Sequence, residues 1–101
     1  MSQISVIAKI PCKPGTRAEV IEGLRPMLDH VETEAGTLTY VLHQDAKDDD
    51  VLWVYEVYAD QAGFEAHSKS DAMKALGRAI GANMAGAPEL TFMAPVAGKG
   101  A

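Results

Sequence analysis

The chain has 101 residues, 48% of them hydrophobic and 23% charged, the balance of a folded globular protein and not of a disordered one. Its formal charge is −5, from 9 basic against 14 acidic side chains, and the basic ones are scattered, which argues against a nucleic-acid surface. Cys12 is the single cysteine, so no disulfide can form within the chain. Lys9 interrupts the first apolar stretch, which argues against a signal peptide, and no run reaches the ~18–20 apolar residues of a membrane span. The expectation is one cytoplasmic domain over residues 1–101, with its core in about 4–96 and no membrane contact.

Ile4, Val6, Ala8 and Ile10 alternate with Ser5, Ile7 and Lys9, the pattern of a strand that Pro11 ends. Thr16 is a candidate helix cap, with Glu19 completing a capping box. Val20, Leu24, Met27 or Leu28, and Val31 then recur at helical spacing. Pro26 should kink or restart that helix, and Gly36 is a plausible stop. Leu38, Tyr40 and Leu42 alternate with Thr39, Val41 and His43 in a second strand. A charged turn, Asp45–Asp50, leads into a third strand over Val51–Tyr58. Asp60 is a good cap for a helix through Phe64 and His67, continued from Ser70 or Asp71 through Met73, Leu76 and Ile80. Leu90 and Phe92 mark a last strand, and Gly98–Ala101 reads as a loose tail.

The order β-α-β-β-α-β predicts an α+β, ferredoxin-like domain: a four-stranded antiparallel sheet with helices on one face. The other face also carries apolar side chains, Ile7, Trp53, Tyr55 and Val57. That patch predicts a homodimer formed sheet to sheet.

Two segments carry a family resemblance. Glu34-Ala35-Gly36-Thr37-Leu38-Thr39-Tyr40 resembles the helix-to-strand junction E-x-G-x-L-x-Y of the antibiotic biosynthesis monooxygenases. Glu56-Val57-Tyr58-Ala59-Asp60-Gln61-Ala62, with Phe64 and then Ala66-His67, resembles that family's strand-to-helix signature. The resemblance implies a dimeric α+β barrel with a cavity between sheet and helices in each protomer. It also implies oxidation of quinols or polycyclic phenols without metal or flavin, haem degradation, or isomerisation of a phosphorylated autoinducer-2 derivative, according to branch. Val54, Tyr58 and Phe64 stand where the anthrone-oxidising branch has Asn, Trp and Tyr. Ala8, His67 and Gly77 stand where the haem-degrading branch has Asn, Trp and an axial His, so haem is not expected. A Glu-plus-His pattern remains, as in the small quinol monooxygenases and the autoinducer-2 branch.

Glu56 is the sharpest anomaly, a carboxylate in an otherwise apolar and aromatic strand. Period two puts it on a face with Leu52, Val54 and Tyr58, which the resemblance turns toward the cavity. It reads either as a general base or orienter of His67, or as a structural carboxylate bonded to a His or a backbone amide. His67, about two helical turns after Asp60, reads either as a proton shuttle or as a buried imidazole satisfied by Glu56. Tyr40 is placed to donate to a substrate oxygen or to sit in the core with its hydroxyl at the rim. Tyr58, Phe64 and Val54 complete the expected substrate-binding set. His30, His43 and His67 have no ligand spacing, and the Asp45–Asp50 turn lacks the glycine and final glutamate of a calcium loop, so no metal or other cofactor is expected. The leading expectation is a cofactor-independent monooxygenase of a small quinol-like aromatic, with His67 and Glu56 catalytic. The alternatives are an isomerase of a small hydroxy-ketone and a non-enzymatic dimeric binding module.

Overall fold

A computed structural model describes residues 2–101. The alternating segments form strands β1 (Ile4–Pro11), β2 (Thr37–Gln44), β3 (Val51–Tyr58) and β4 (Glu89–Met93), and the helices are α1 (Arg17–Val31), α2 (Gln61–Ser68) and α3 (Asp71–Ile80). The strands make one antiparallel sheet in the order β2-β3-β1-β4, the ferredoxin-like α+β arrangement. The pleat sends Val6, Ala8 and Ile10 of β1 and Leu52, Val54, Glu56 and Tyr58 of β3 to the helix-covered face, where all are buried. Val20 and Leu24 of α1 and Ile80 of α3 close over them.

Several local expectations are corrected. Thr16 and Glu19 form no capping box: the Thr16 hydroxyl donates to the carbonyls of Lys13 (2.8 Å) and Asn83 (3.2 Å), which ties the turn to the segment after α3. Helix α1 runs through Pro26 without interruption. Pro26 is solvent-exposed, so the Glu22 carbonyl that loses its helical partner faces water. The helix ends at Val31, well before Gly36, which lies in the turn just before β2. The second helical stretch is two helices, because two side chains each satisfy an N-terminus: Asp60 accepts from the Gly63 amide at 2.8 Å and Ser70 from the Met73 amide at 3.1 Å. Leu38 does not share a face with Tyr40 and Leu42. A bulge between Thr37 and Thr39 frees it, and it borders a hollow with Ser5, Tyr55 and Val57 on the outer face. The tail runs back past that hollow, with Pro95 and Ala101 on its border.

Asp45 organises the β2–β3 turn. Its carboxylate accepts from the amides of Lys47 and Asp48, both at 2.9 Å, and from the Trp53 indole at 2.8 Å. The Asp48 amide, then the indole, then the Lys47 amide lower its pKa from 3.8 to about 2. A depressed carboxylate stabilises the folded turn above its ordinary pKa and loses that contribution as pH falls toward 2. The Trp53 indole N–H resonance should therefore hold its shift from neutral pH down to about 3; movement centred near the ordinary aspartate value of about 4 would mean that these bonds do not hold the turn.

Helix α2 meets the turn before β2 backbone to backbone. A Cβ on Gly63 would lie 2.8 Å from the Gly36 carbonyl oxygen, and one on Gly36 would lie 2.6 Å from the Gly63 Cα. The same carbonyl accepts from the Ala59 amide at 2.9 Å, so the start of α2 is fastened to the start of β2. Gly63→Ala must push these backbones apart and should cost about 1–3 kcal/mol, read as a drop in Tm of about 4–8 °C per kcal/mol. An unchanged Tm would show that the contact constrains nothing.

Candidate functional site

A cavity of about 170 Å³ lies between the sheet and the helices. Ala8, Val54 and Glu56 form part of its floor, Leu24 and Met73 come from α1 and α3, and Leu90 of β4 stands at its edge. Its wall is apolar except for the carboxyl of Glu56 and the phenol of Tyr40, neighbours across β3 and β2. No lysine or arginine lines it among the described residues. Its edge is open because β4 is uncovered: Leu90 and Phe92 are 49% and 53% exposed, although their register with Ala8 and Val6 puts them on the helix side.

Glu56 is 6% exposed and accepts a hydrogen bond from the hydroxyl of Tyr58, two residues on along the same face. Burial raises its pKa, opposed by the Tyr58 bond and the proximity of His67. Tyr58 is fully buried; burial and then the bond to Glu56 raise its pKa, so it stays protonated as the donor. Tyr40 is raised by burial and then by the charges of Glu56 and Glu34, which keeps a neutral hydroxyl at the cavity wall. Phe64 packs edge-on against Tyr58, with centroids 5.4 Å apart, and against Phe92 at 5.2 Å, between the buried wall and the open edge.

His67 is 2% exposed and sits behind the aromatic wall, its ring centroid 5.2 Å from Tyr40 and 5.4 Å from Tyr58. Its hydrogen bond is not to Glu56. Nδ1 lies 2.9 Å from Oε1 of Glu34, 33 residues earlier in the chain, and the buried Nε2 has no protein partner. Glu34 also accepts from the Thr37 hydroxyl at 2.8 Å on the same oxygen, and its other oxygen lies 3.1 Å from Nε2 of His30 on α1. Burial tends to raise the Glu34 pKa, but the bonds from His67 and Thr37 and the two imidazoles outweigh it and the net shift is downward. Of the candidate residues, Glu56, Tyr40 and Val54 line the cavity, while Tyr58, Phe64 and His67 pack around it.

Glu34 and its clamp His30 were not among the site residues expected from the sequence. Glu34 falls in the segment Glu34–Tyr40 that carries the family resemblance, which is the one signal that could have marked it. Nothing local ties it to His67. No group of three or more His, Cys, Asp and Glu side chains is arranged to hold a metal ion among the described residues. No helix among them is long and apolar enough to cross a membrane.

The fold is a ferredoxin-like α+β domain with an apolar cavity between sheet and helices. Residues 3–79 match the antibiotic biosynthesis monooxygenase family, and the chain belongs to it. A Caulobacter crescentus protein provisionally described as an antibiotic biosynthesis monooxygenase is similar at 31% identity and a TM-score of 0.87, over 95% of this chain and 92% of that one. A Pseudomonas aeruginosa protein is similar at 26% identity and a TM-score of 0.87, over 96% and 97% of the two chains. One from Mycobacterium tuberculosis shares the fold at 23% identity and a TM-score of 0.87, over 97% and 99%. No curated protein matches the chain in sequence.

The raised pKa of Glu56 has a stability consequence. A carboxyl with a folded pKa above its unfolded one contributes most below the unfolded value and loses that contribution as pH rises through the folded value. Glu56→Gln, which cannot ionise, should therefore raise Tm by a few degrees at pH 8, and the gain should vanish below about pH 4. A gain that is the same at both pH values would sink this account of Glu56.

Proposed function

We propose that this chain is a cofactor-independent monooxygenase that oxidises a small quinol-like aromatic in the cavity between sheet and helices. The observation that carries the reading is Glu56: a buried carboxyl facing an apolar cavity, with the Tyr58 hydroxyl as its hydrogen-bond partner. An apolar site keeps water away and favours a flat, uncharged ring; the raised pKa makes the ionised carboxylate a stronger base. Glu56 takes a phenolic proton, and the Tyr40 hydroxyl donates to a substrate oxygen as charge develops there. His67, close enough to affect the charge on Glu56, stabilises its ionised form when the imidazole holds a proton. The electron-rich quinol anion then reduces O₂. One oxygen atom forms a C–O bond to the ring, the O–O bond breaks, and the other atom leaves as water with the protons the hydroxyls gave up. All the electrons come from the substrate.

A wall without lysine or arginine disfavours the phosphorylated hydroxy-ketone that an isomerase of the autoinducer-2 type would take. A cavity of about 170 Å³ is near the 150 Å³ engineered cavity that binds benzene, so a single-ring substrate suits it. The expected result is oxygen uptake with a panel of hydroquinones, one O₂ consumed per quinol, with hydroxyquinone as product and no accumulation of peroxide. Glu56→Gln should lower kcat by about 10²–10⁴-fold while the protein stays folded. Turnover of the same panel without oxygen uptake would overturn the reading.

The site is proposed to work in a homodimer joined by the outer faces of the sheets. In support, Ile7, Tyr55 and Val41 form one cross-strand row there, and Val41, Tyr55 and Met93 are 46%, 40% and 37% exposed. Sedimentation should give one species near twice 10.7 kDa, and Tyr55→Glu should yield monomer. A stable wild-type monomer at micromolar concentration excludes this arrangement.

A further inference from the structure

A buried imidazole is an acceptor only if the correct nitrogen is bare, and which nitrogen is bare is decided by what the other one bonds. Nδ1 of His67 meets Oε1 of Glu34 at 2.9 Å, while Nε2 is buried with no protein partner and His67 as a whole is 2% exposed. Glu34 is itself immobilised: the Thr37 hydroxyl holds one oxygen at 2.8 Å, His30 holds the other at 3.1 Å, and the side chain is 12% exposed. The remaining titratable groups packed on the imidazole are Tyr40 of β2 and Tyr58 of β3, with Glu56 of β3 near enough for its charge to be felt.

We propose that Glu34 is a positioning residue that fixes His67 as the tautomer with Nδ1 protonated and Nε2 bare, so that His67 can take up a proton and balance the charge of Glu56. A carboxylate can only accept, so it compels the Nδ1–H form. A proton taken up at Nε2 would leave the ring with the Glu34 carboxylate at Nδ1 and Glu56 near enough for its charge to be felt, which offsets the cost of a buried positive charge. A merely structural Glu34 would fix the same tautomer, but its replacement in a folded protein would leave turnover unchanged. His30 and Thr37 act one step further out, by holding the carboxylate in register with Nδ1.

The functional consequence rests on the monooxygenase reading; the tautomer does not, and the two are measured separately. Long-range ¹H–¹⁵N spectra of the intact wild-type protein at pH 7.5 should give His67 a protonated Nδ1 and a bare Nε2. Glu34→Gln, whose amide can donate or accept, should give a mixture of the two tautomers or the opposite one, and Glu34→Asp should keep more of the wild-type form. With a hydroquinone that the wild type oxidises, Glu34→Gln should lower kcat on the order of 10–100-fold with KM little changed, because Glu56 and Tyr40 still face the cavity. A wild-type His67 with Nε2 protonated overturns the proposal, as does a folded Glu34→Gln protein that keeps the wild-type tautomer. If Glu34→Gln does not fold, His30→Asn removes the contact on the other Glu34 oxygen and should loosen the tautomer preference; a His30→Asn spectrum unchanged from wild type overturns the role given to His30. Absence of hydroquinone oxidation by the wild type would refute the functional reading and leave the spectroscopic result to decide the tautomer.

Discussion

The site depends on how closely two backbones can approach. Gly36 and Gly63 meet with no room for a Cβ on either, and the Gly36 carbonyl also accepts from the Ala59 amide. This contact seats the first turn of α2 against the beginning of β2. His67 follows Gly63 by about one helical turn and Glu34 precedes Gly36 by two residues, so the same contact brings imidazole and carboxylate into hydrogen-bond range. A side chain at either glycine would push apart the two segments that carry the pair. The van der Waals limit between two glycines thus sets the geometry of the buried polar layer.

Within that layer two glutamates have opposite environments. Glu34 receives hydrogen bonds from the Thr37 hydroxyl and the His67 imidazole and has the His30 ring 3.1 Å from its other oxygen, which together outweigh its burial and lower its pKa. Glu56 lies deeper among Tyr58, Val54 and Ala8 and has a phenol as its partner, so burial dominates and the proton is held more tightly. Environments that push two like groups apart in pKa allow one to act as a fixed anion and the other to exchange a proton. The aromatic rings of Tyr40 and Tyr58 stand beside His67, which links the two charge environments without a direct bond between the carboxylates.

The apolar shell follows from an imbalance in the layers. The helices cover β1 and β3 thoroughly, as the near-complete burial of Val6, Leu52 and Val54 records, but they leave β4 bare. Leu90 and Phe92 are therefore half exposed on the side that should be interior, and the cavity opens toward them. Phe64 bridges the two regimes, stacked edge-on against buried Tyr58 and exposed Phe92. A ring-shaped ligand entering from this side meets hydrocarbon first and polar groups only at the cavity wall.

The strands, their parity and the family were legible in the sequence, because period-two burial and the two motif segments are local properties of the chain. The faces of Glu56 and Trp53 follow from parity alone, and the Asp60 and Ser70 caps from residue type. Parity failed where geometry departs from the ideal pleat, at Leu38, whose bulge is an insertion in one strand relative to its partner. Gly36 could be seen as a chain breaker but not as the counterpart of Gly63, since steric contact between segments leaves no local pattern. The same is true of the partner of His67. Glu56 is nearer in sequence and was the natural choice, yet Glu56 is bonded to Tyr58, and Nδ1 goes to a carboxylate 33 residues away. Sequence determined which residue types had to be buried and on which face; only the folded chain decided which buried polar atoms meet, because that depends on ångström-scale distances between segments that packing alone sets.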